Sequence, residues 1–129
     1  MASIESVLTK NAPQPVGPYS QAVKVNGFLY VSGQVPLTPA GALVESDDIQ
    51  VHTRQVLDNL KAVLEAGGSS LEKVVKVNVF VLDIAQFGKI NEVYAEYFSK
   101  SKPARSLVAV AALPLGVPLE VEAVAVVDN

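Results

Sequence analysis

Valine occupies positions 75, 77, 79 and 81, and this alternating run within Lys73 to Leu82 constrains the fold more than any other stretch. Strict alternation is the period of a β-strand, whose successive side chains point to opposite faces. The positions between are Val74, Lys76, Asn78, Phe80 and Leu82, so much of the second face is apolar too. Valine fills 23 of the 129 positions, while aromatic residues make up only 6%. That β-branched excess favours a sheet over a helical bundle. The length suits one domain, residues 1–129, around one core.

Asn26-Gly27 separates Gln21–Val25 from Phe28–Ser32, two β-type runs. The pair predicts a hairpin, because both central residues of a type I′ turn need positive φ. Val35 to Val44 holds two prolines and a glycine and reads as a loop with room for a short edge strand. A helix is expected to open at Asp47 or Asp48, with Asp47 and Gln50 spaced as a capping box. Val56, Leu57, Leu60, Val63 and Leu64 form its apolar stripe, and Gly67-Gly68 ends it. Asp83 and Gln86 repeat the capping spacing before a second stripe of Phe87, Ile90, Tyr94, Tyr97 and Phe98, which stops after Ser99 ahead of Lys102-Pro103. Strands at Ala104–Ala111 and Leu119–Val127 close an α+β order, ββ(β)αβαββ, with both helices on one sheet face.

Two helices cover only one face of such a sheet, yet apolar residues stand on both. Either loops cover the second face, or other copies of the chain do, since obligate interfaces resemble a split core. The apolar content favours the second reading.

The residue inventory narrows the chemistry. No cysteine is present, which removes disulfides, thiol nucleophiles and thiolate metal sites. His52 is the single histidine; it is expected to be exposed in the first turn of the first helix. A net charge of -3 and scattered lysines provide no basic stripe, so no nucleic-acid partner is expected. No apolar run approaches the roughly 20 residues of a spanning helix, and no membrane partner is expected. The N-terminus lacks the pattern of a secretory or mitochondrial presequence. A cytoplasmic location is therefore expected, or a mitochondrial matrix location if a presequence has been removed.

Arg105 is one of two arginines and heads a strand of small and apolar residues. It is either a solvated strand end or a planar fork aimed at a carboxylate or phosphate. The other, Arg54, reads as a surface ion pair. Glu120 and Glu122 share a strand face, and only one of them should be deeply buried; they are either solvated carboxylates or an internal salt bridge, or one of them is a base or holds a water. Ser32-Gly33 offers backbone N–H groups and a hydroxyl to an anion, although turn chemistry alone would explain it. Tyr19 either packs or donates from its phenol. Asn91 lies on an apolar helix stripe and needs a partner.

Gly17-Pro-Tyr-Ser20, Tyr30-Val-Ser-Gly-Gln34, Pro103-Ala-Arg-Ser106 and Leu119-Glu-Val-Glu-Ala123 together resemble the Rid family, the reactive intermediate deaminases of YjgF type. Lys73–Phe80 and Asn91-x-x-Tyr94 agree with it, and the match runs from Ala12 to Val127. The resemblance implies a chorismate-mutase-like fold and a homotrimer, its sheets forming a central barrel and its sites lying in clefts between subunits. It implies cofactor-free hydrolysis of 2-imino and 2-enamino acids, such as 2-aminoacrylate and 2-aminocrotonate, to 2-keto acids and ammonia. By position, Arg105 would clamp the substrate carboxylate and Glu120 would hold or activate water. Tyr19, Ser32, the Leu107 backbone and Asn91 would line the pocket. Leu107 departs from the family, where many members carry cysteine. A non-catalytic metabolite sensor using the same pocket is the alternative, with an RNA-cleaving translation inhibitor a more distant one.

Overall fold

In the computed structural model, which describes residues 3–127, Asn26 and Gly27 take φ of 52° and 80° and close the expected hairpin. In chain order the elements are β1 (Glu5–Val7), β2 (Ala22–Val25), β3 (Phe28–Gln34), α1 (Ile49–Ala66), β4 (Val74–Val81), α2 (Phe87–Phe98), β5 (Ala104–Ala109) and β6 (Leu119–Val126). The strands form one six-stranded sheet in the order β1-β2-β3-β6-β4-β5. All neighbours are antiparallel except β4 and β5, which run parallel across the α2 crossover. The extra strand allowed for in the Val35–Val44 segment forms instead at the N-terminus. Leu37 and Leu43 make only an isolated bridge.

The core lies between this sheet and α1 with α2. Val56, Leu57, Leu60, Val63 and Leu64 are completely buried, packed with Leu29, Val77, Val79, Val81, Val121 and Ala125. Burial of that kind stabilises by about 1.5–3 kcal/mol per large aliphatic side chain. Val75 departs from the alternation. Val74 pairs with Ala125 and Lys76 with Val124, so Val75 is the extra residue of a β-bulge and lies exposed.

Both helices open at the expected aspartates, but neither capping box forms. Asp48 is the N-cap of α1, accepting from the Gln50 N–H at 2.9 Å, and the Asp47–Gln50 box does not form. The Gln50 amide instead donates to Lys89 O and to Glu92, tying α1 to α2. Asp83 accepts from the Ala85 N–H and opens a 3-10 turn, Ile84–Gln86, that runs into α2. At the end of α1, Gly68 takes the left-handed φ of 82°. His52 is buried, not exposed, because Nε2 reaches back to donate to Ser46 O at 2.6 Å. Arg54 does form the expected ion pair, meeting Glu96 on α2 with two bonds of 2.7 Å.

The face of the sheet away from the helices presents Phe28, Tyr30, Val108 and Val126, each at least two-fifths exposed. Among the described residues, no helix is long and apolar enough to cross a membrane.

Candidate functional site

Glu120 stands at the start of β6, beside the end of β3. There the pairing runs from Val31↔Ala123 to Gln34↔Val121, so Ser32 and Gly33 together oppose Glu122 in a second bulge. A bulge at that point re-aims the strand end and lets the Glu120 side chain lie across Gly33. A Cβ on Gly33 would overlap the carboxylate, with Glu120 Cδ only 2.7 Å away, so glycine is what lets Glu120 keep this position. Glu120 is half-buried, and burial followed by the neighbouring Glu122 raises its pKa above the usual carboxylate value. Glu122 accepts from the Asn78 amide at 3.0 Å, across the β4–β6 pair. Contrary to the expectation from spacing, neither glutamate is deeply buried.

Glu120 lines a groove of about 620 Å³ with Tyr19, Ser32, Gly33, Val16 and Leu115 among its walls. The Tyr19 phenol oxygen accepts from the Val16 N–H at 3.3 Å and orders the Gly17-Pro18 turn. Ser32 donates its hydroxyl to Ser20 O and its N–H to Gln21 O. Its oxygen can therefore accept from a bound molecule, but neither of these donors is open to an anion.

Arg105 occupies the other side of the sheet. It pairs with Val77 in the β4–β5 register and so points toward α2. Nη1 donates to Asn91 Oδ1 at 2.6 Å, which gives Asn91 the partner its position on the helix demanded. The guanidinium carbon lies 4.6 Å from the Tyr94 ring centre and 5.7 Å from that of Phe87, both within cation–π range. Phe87 is half-exposed where its periodicity suggested core. The Tyr94 hydroxyl is buried without a partner, and burial raises its pKa, opposed by Arg105. Among the described residues Arg105 meets no carboxylate. One arm of a fixed guanidinium is thus held by an amide, the rest aromatic-walled, with its charge unneutralised.

Leu107 sits two residues on, against Val79. Val110 N–H donates to Val81 O, which fixes the phase of β5. By strand alternation, the N–H and C=O groups of Arg105, Leu107 and Ala109 then face away from β4, toward the open edge of the sheet. The Leu107 backbone groups thus have no strand partner on that side among the described residues.

The structure thus collects the expected residues into two groups. Glu120, Tyr19 and Ser32 share the groove, while Arg105, Asn91 and the Leu107 edge lie two strands away, roughly 10 Å across the sheet, on its opposite face. Sequence reasoning missed Tyr94 and Phe87 as walls of the guanidinium, although Asn91-x-x-Tyr94 carried the helical spacing. It also missed Leu115, whose signal was a leucine before Gly116 in a turn. Among the described residues, no cluster of three or more His, Cys, Asp or Glu could hold a metal ion.

A family model described as endoribonuclease L-PSP matches residues 9–127. A RutC family protein of Pyrococcus horikoshii is 53% identical over 121 residues, 94% of this chain and 96% of that protein. The crystal structure of YyfA from Yersinia pestis, described as a protein of unknown function of the conserved Rid protein family, superposes with a TM-score of 0.93. It is 46% identical and the match covers 97% of this chain and 100% of that one. The crystal structure of E. coli TdcF with bound serine gives a TM-score of 0.91 at 38% identity, covering 96% and 99% of the two chains.

Proposed function

The chain belongs to the Rid family of YjgF-type proteins, and from that membership we propose that it is a hydrolytic deaminase of 2-imino and 2-enamino acids. The observation that carries this reading is Arg105, oriented by Asn91 between two aromatic rings and meeting no carboxylate of its own. Such a fork suits the carboxylate of a small acid, which it binds through two parallel bonds. TdcF, crystallised with serine, is a relative that holds a molecule of that class.

Hydrolysis makes modest demands on the protein. The enamine takes a proton at C3 to become the protonated imine, whose C2 is electrophilic. Glu120, ionised, accepts a proton from a water as the oxygen bonds to C2. The proton passes to nitrogen; the C2–N bond then breaks with its electron pair leaving on ammonia while the C2 hydroxyl gives its proton to Glu120, and the 2-keto acid remains. Orientation by Arg105 and a placed water supply most of what such a reaction needs.

Arg105 and Glu120 cannot share one substrate within a protomer, since the sheet lies between them. We place the active site between copies, where the β5 edge of one meets the Glu120 groove of the next in a homotrimer.

The test couples a serine or threonine dehydratase to the protein and follows 2-keto acid release. Release should be accelerated, the gain abolished in Arg105→Ala and reduced on the order of a hundredfold in Glu120→Ala. Full activity in Arg105→Ala would overturn the site. A metabolite sensor, the alternative, would bind a keto acid with no turnover. The family model's endoribonuclease description favours a second reading, RNA cleavage. Against it stand the net charge of -3 and a lone histidine committed to Ser46. RNA cleavage that survived repurification and vanished in Arg105→Ala would restore it.

A further inference from the structure

Leu115 and Gly116 both take positive φ, 59° and 69°, and Val117 N–H donates to Pro114 O across them. This is the geometry of a type I′ turn, the same that Asn26-Gly27 makes in the hairpin. Here a leucine occupies the seat that asparagine fills there. A bulky side chain with φ in this region is a genuine outlier. The fold gains little in exchange, because Leu115 is 68% exposed and outside the core cluster. Its side chain instead lines the Glu120 groove, alongside Val16, which is more exposed still.

The rest of the groove indicates what it would take. On the single chain its volume of about 620 Å³ falls within the range of roughly 300–1,000 Å³ typical of small-molecule sites, before a neighbour's β5 edge takes its share. Within one chain the charged residues of its lining are Glu120 and Glu122, and the neighbour's Arg105 is taken by the substrate carboxylate, so an anionic side chain is disfavoured. Val35 and Leu37 add further apolar surface. We propose that Leu115 is a specificity-determining residue, whose side chain makes the site select 2-imino acids with branched or extended apolar side chains over short ones. This inference rests on the deaminase reading and names its substrate class.

The experiment uses the intact protein and 2-imino acids made in situ by an L-amino-acid oxidase from leucine, 2-aminobutyrate and arginine. Semicarbazide traps whatever imine the protein does not hydrolyse, and kcat/KM follows from the loss of semicarbazone. Leu115→Asn and Leu115→Gly both suit the left-handed turn, so both should fold with Tm no lower than that of the parent. In the parent, the leucine-derived imine should be the preferred substrate. In each variant its kcat/KM relative to the 2-aminobutyrate-derived imine should fall about tenfold, the scale set by one or two apolar groups in a pocket. An unchanged ratio in both variants, or preference of the parent for the arginine-derived imine, would overturn the proposal. If the parent hydrolyses none of the three, the deaminase reading itself fails. If it hydrolyses them and Arg105→Ala does not, while the ratio ignores Leu115, the specificity proposal alone fails.

Discussion

A Cβ on Gly33 would meet the Glu120 carboxylate, the far end of a flexible side chain, and not backbone. Gly33→Ala should therefore fold, because Glu120 can swing aside, but the carboxylate would leave its place. An ångström of displacement in a positioned group costs on the order of a hundredfold. The expected outcome is a kcat/KM lowered by about that factor with a Tm close to the parent's. Parallel loss of stability would mean that Gly33 serves the fold instead. In the proposed reaction Glu120 works ionised and would set the pH response; burial with Glu122 holds its pKa above the ordinary carboxylate value. Activity should fall on acidification at a higher pH than an unperturbed glutamate would give, and Glu122→Gln should move that limb down. The sign for folding is opposite: the folded chain binds this proton more tightly than the unfolded chain. Ionising Glu120 therefore costs stability as pH rises between its unfolded and folded pKa values, a loss that Glu120→Gln should remove. A limb unmoved by Glu122→Gln would separate Glu120 from the rate. The family resemblance chose Glu120; before it, Arg105 and the Glu120–Glu122 pair were legible as candidates because guanidiniums are scarce and carboxylates on a valine strand need a reason. The face on which each lands was not, since that depends on the register of strands distant in the chain.

Elements show where local signals suffice. Asn26-Gly27, the α1 stripe and the Pro103 break are set by neighbours in sequence, and each stands where the pattern puts it. The bulges at Val75 and at Ser32-Gly33 are properties of strand pairs, so no window of one strand contains them. His52 reads as exposed from its helical position, but a loop carbonyl draws it in. Strand β1 has three residues and no periodicity to detect. Gly67 differs from Gly33 in what it touches. A Cβ there would lie 2.6 Å from Leu29 Cδ2, in a completely buried side chain of β3. With φ at -86° the backbone permits alanine, so overpacking alone should act. Gly67→Ala should destabilise by about 1–3 kcal/mol in denaturant unfolding, with kcat unchanged in the surviving fold. A stability equal to the parent's would show that the helix end relaxes away from β3.

At the scale of the molecule, three features of the protomer are unfinished. Its outer sheet face carries exposed Phe28, Tyr30, Val108 and Val126; its β5 edge has outward backbone groups; and its two half-sites lie on opposite faces. The proposed closed ring of copies, in which each β5 edge meets a neighbour's Glu120 groove, would complete all three. Light scattering should then give the mass of three 13.6 kDa chains, and a monomer mass would remove the shared site with it. Mass alone does not show that the copies share chemistry, but complementation does. Arg105→Ala and Glu120→Gln are each expected to be inactive as pure trimers. Co-expressed under separate tags, they form mixed trimers in which one copy supplies Arg105 and its neighbour supplies Glu120. In a cyclic trimer every mixed ring has one intact cleft of three. Random assembly in equal amounts should thus restore about a quarter of the parent activity, all of it in the fraction carrying both tags. Were the two residues to act within one chain, no mixture would recover anything. Recovery scaling with the doubly tagged fraction is therefore the outcome expected of a site built between copies.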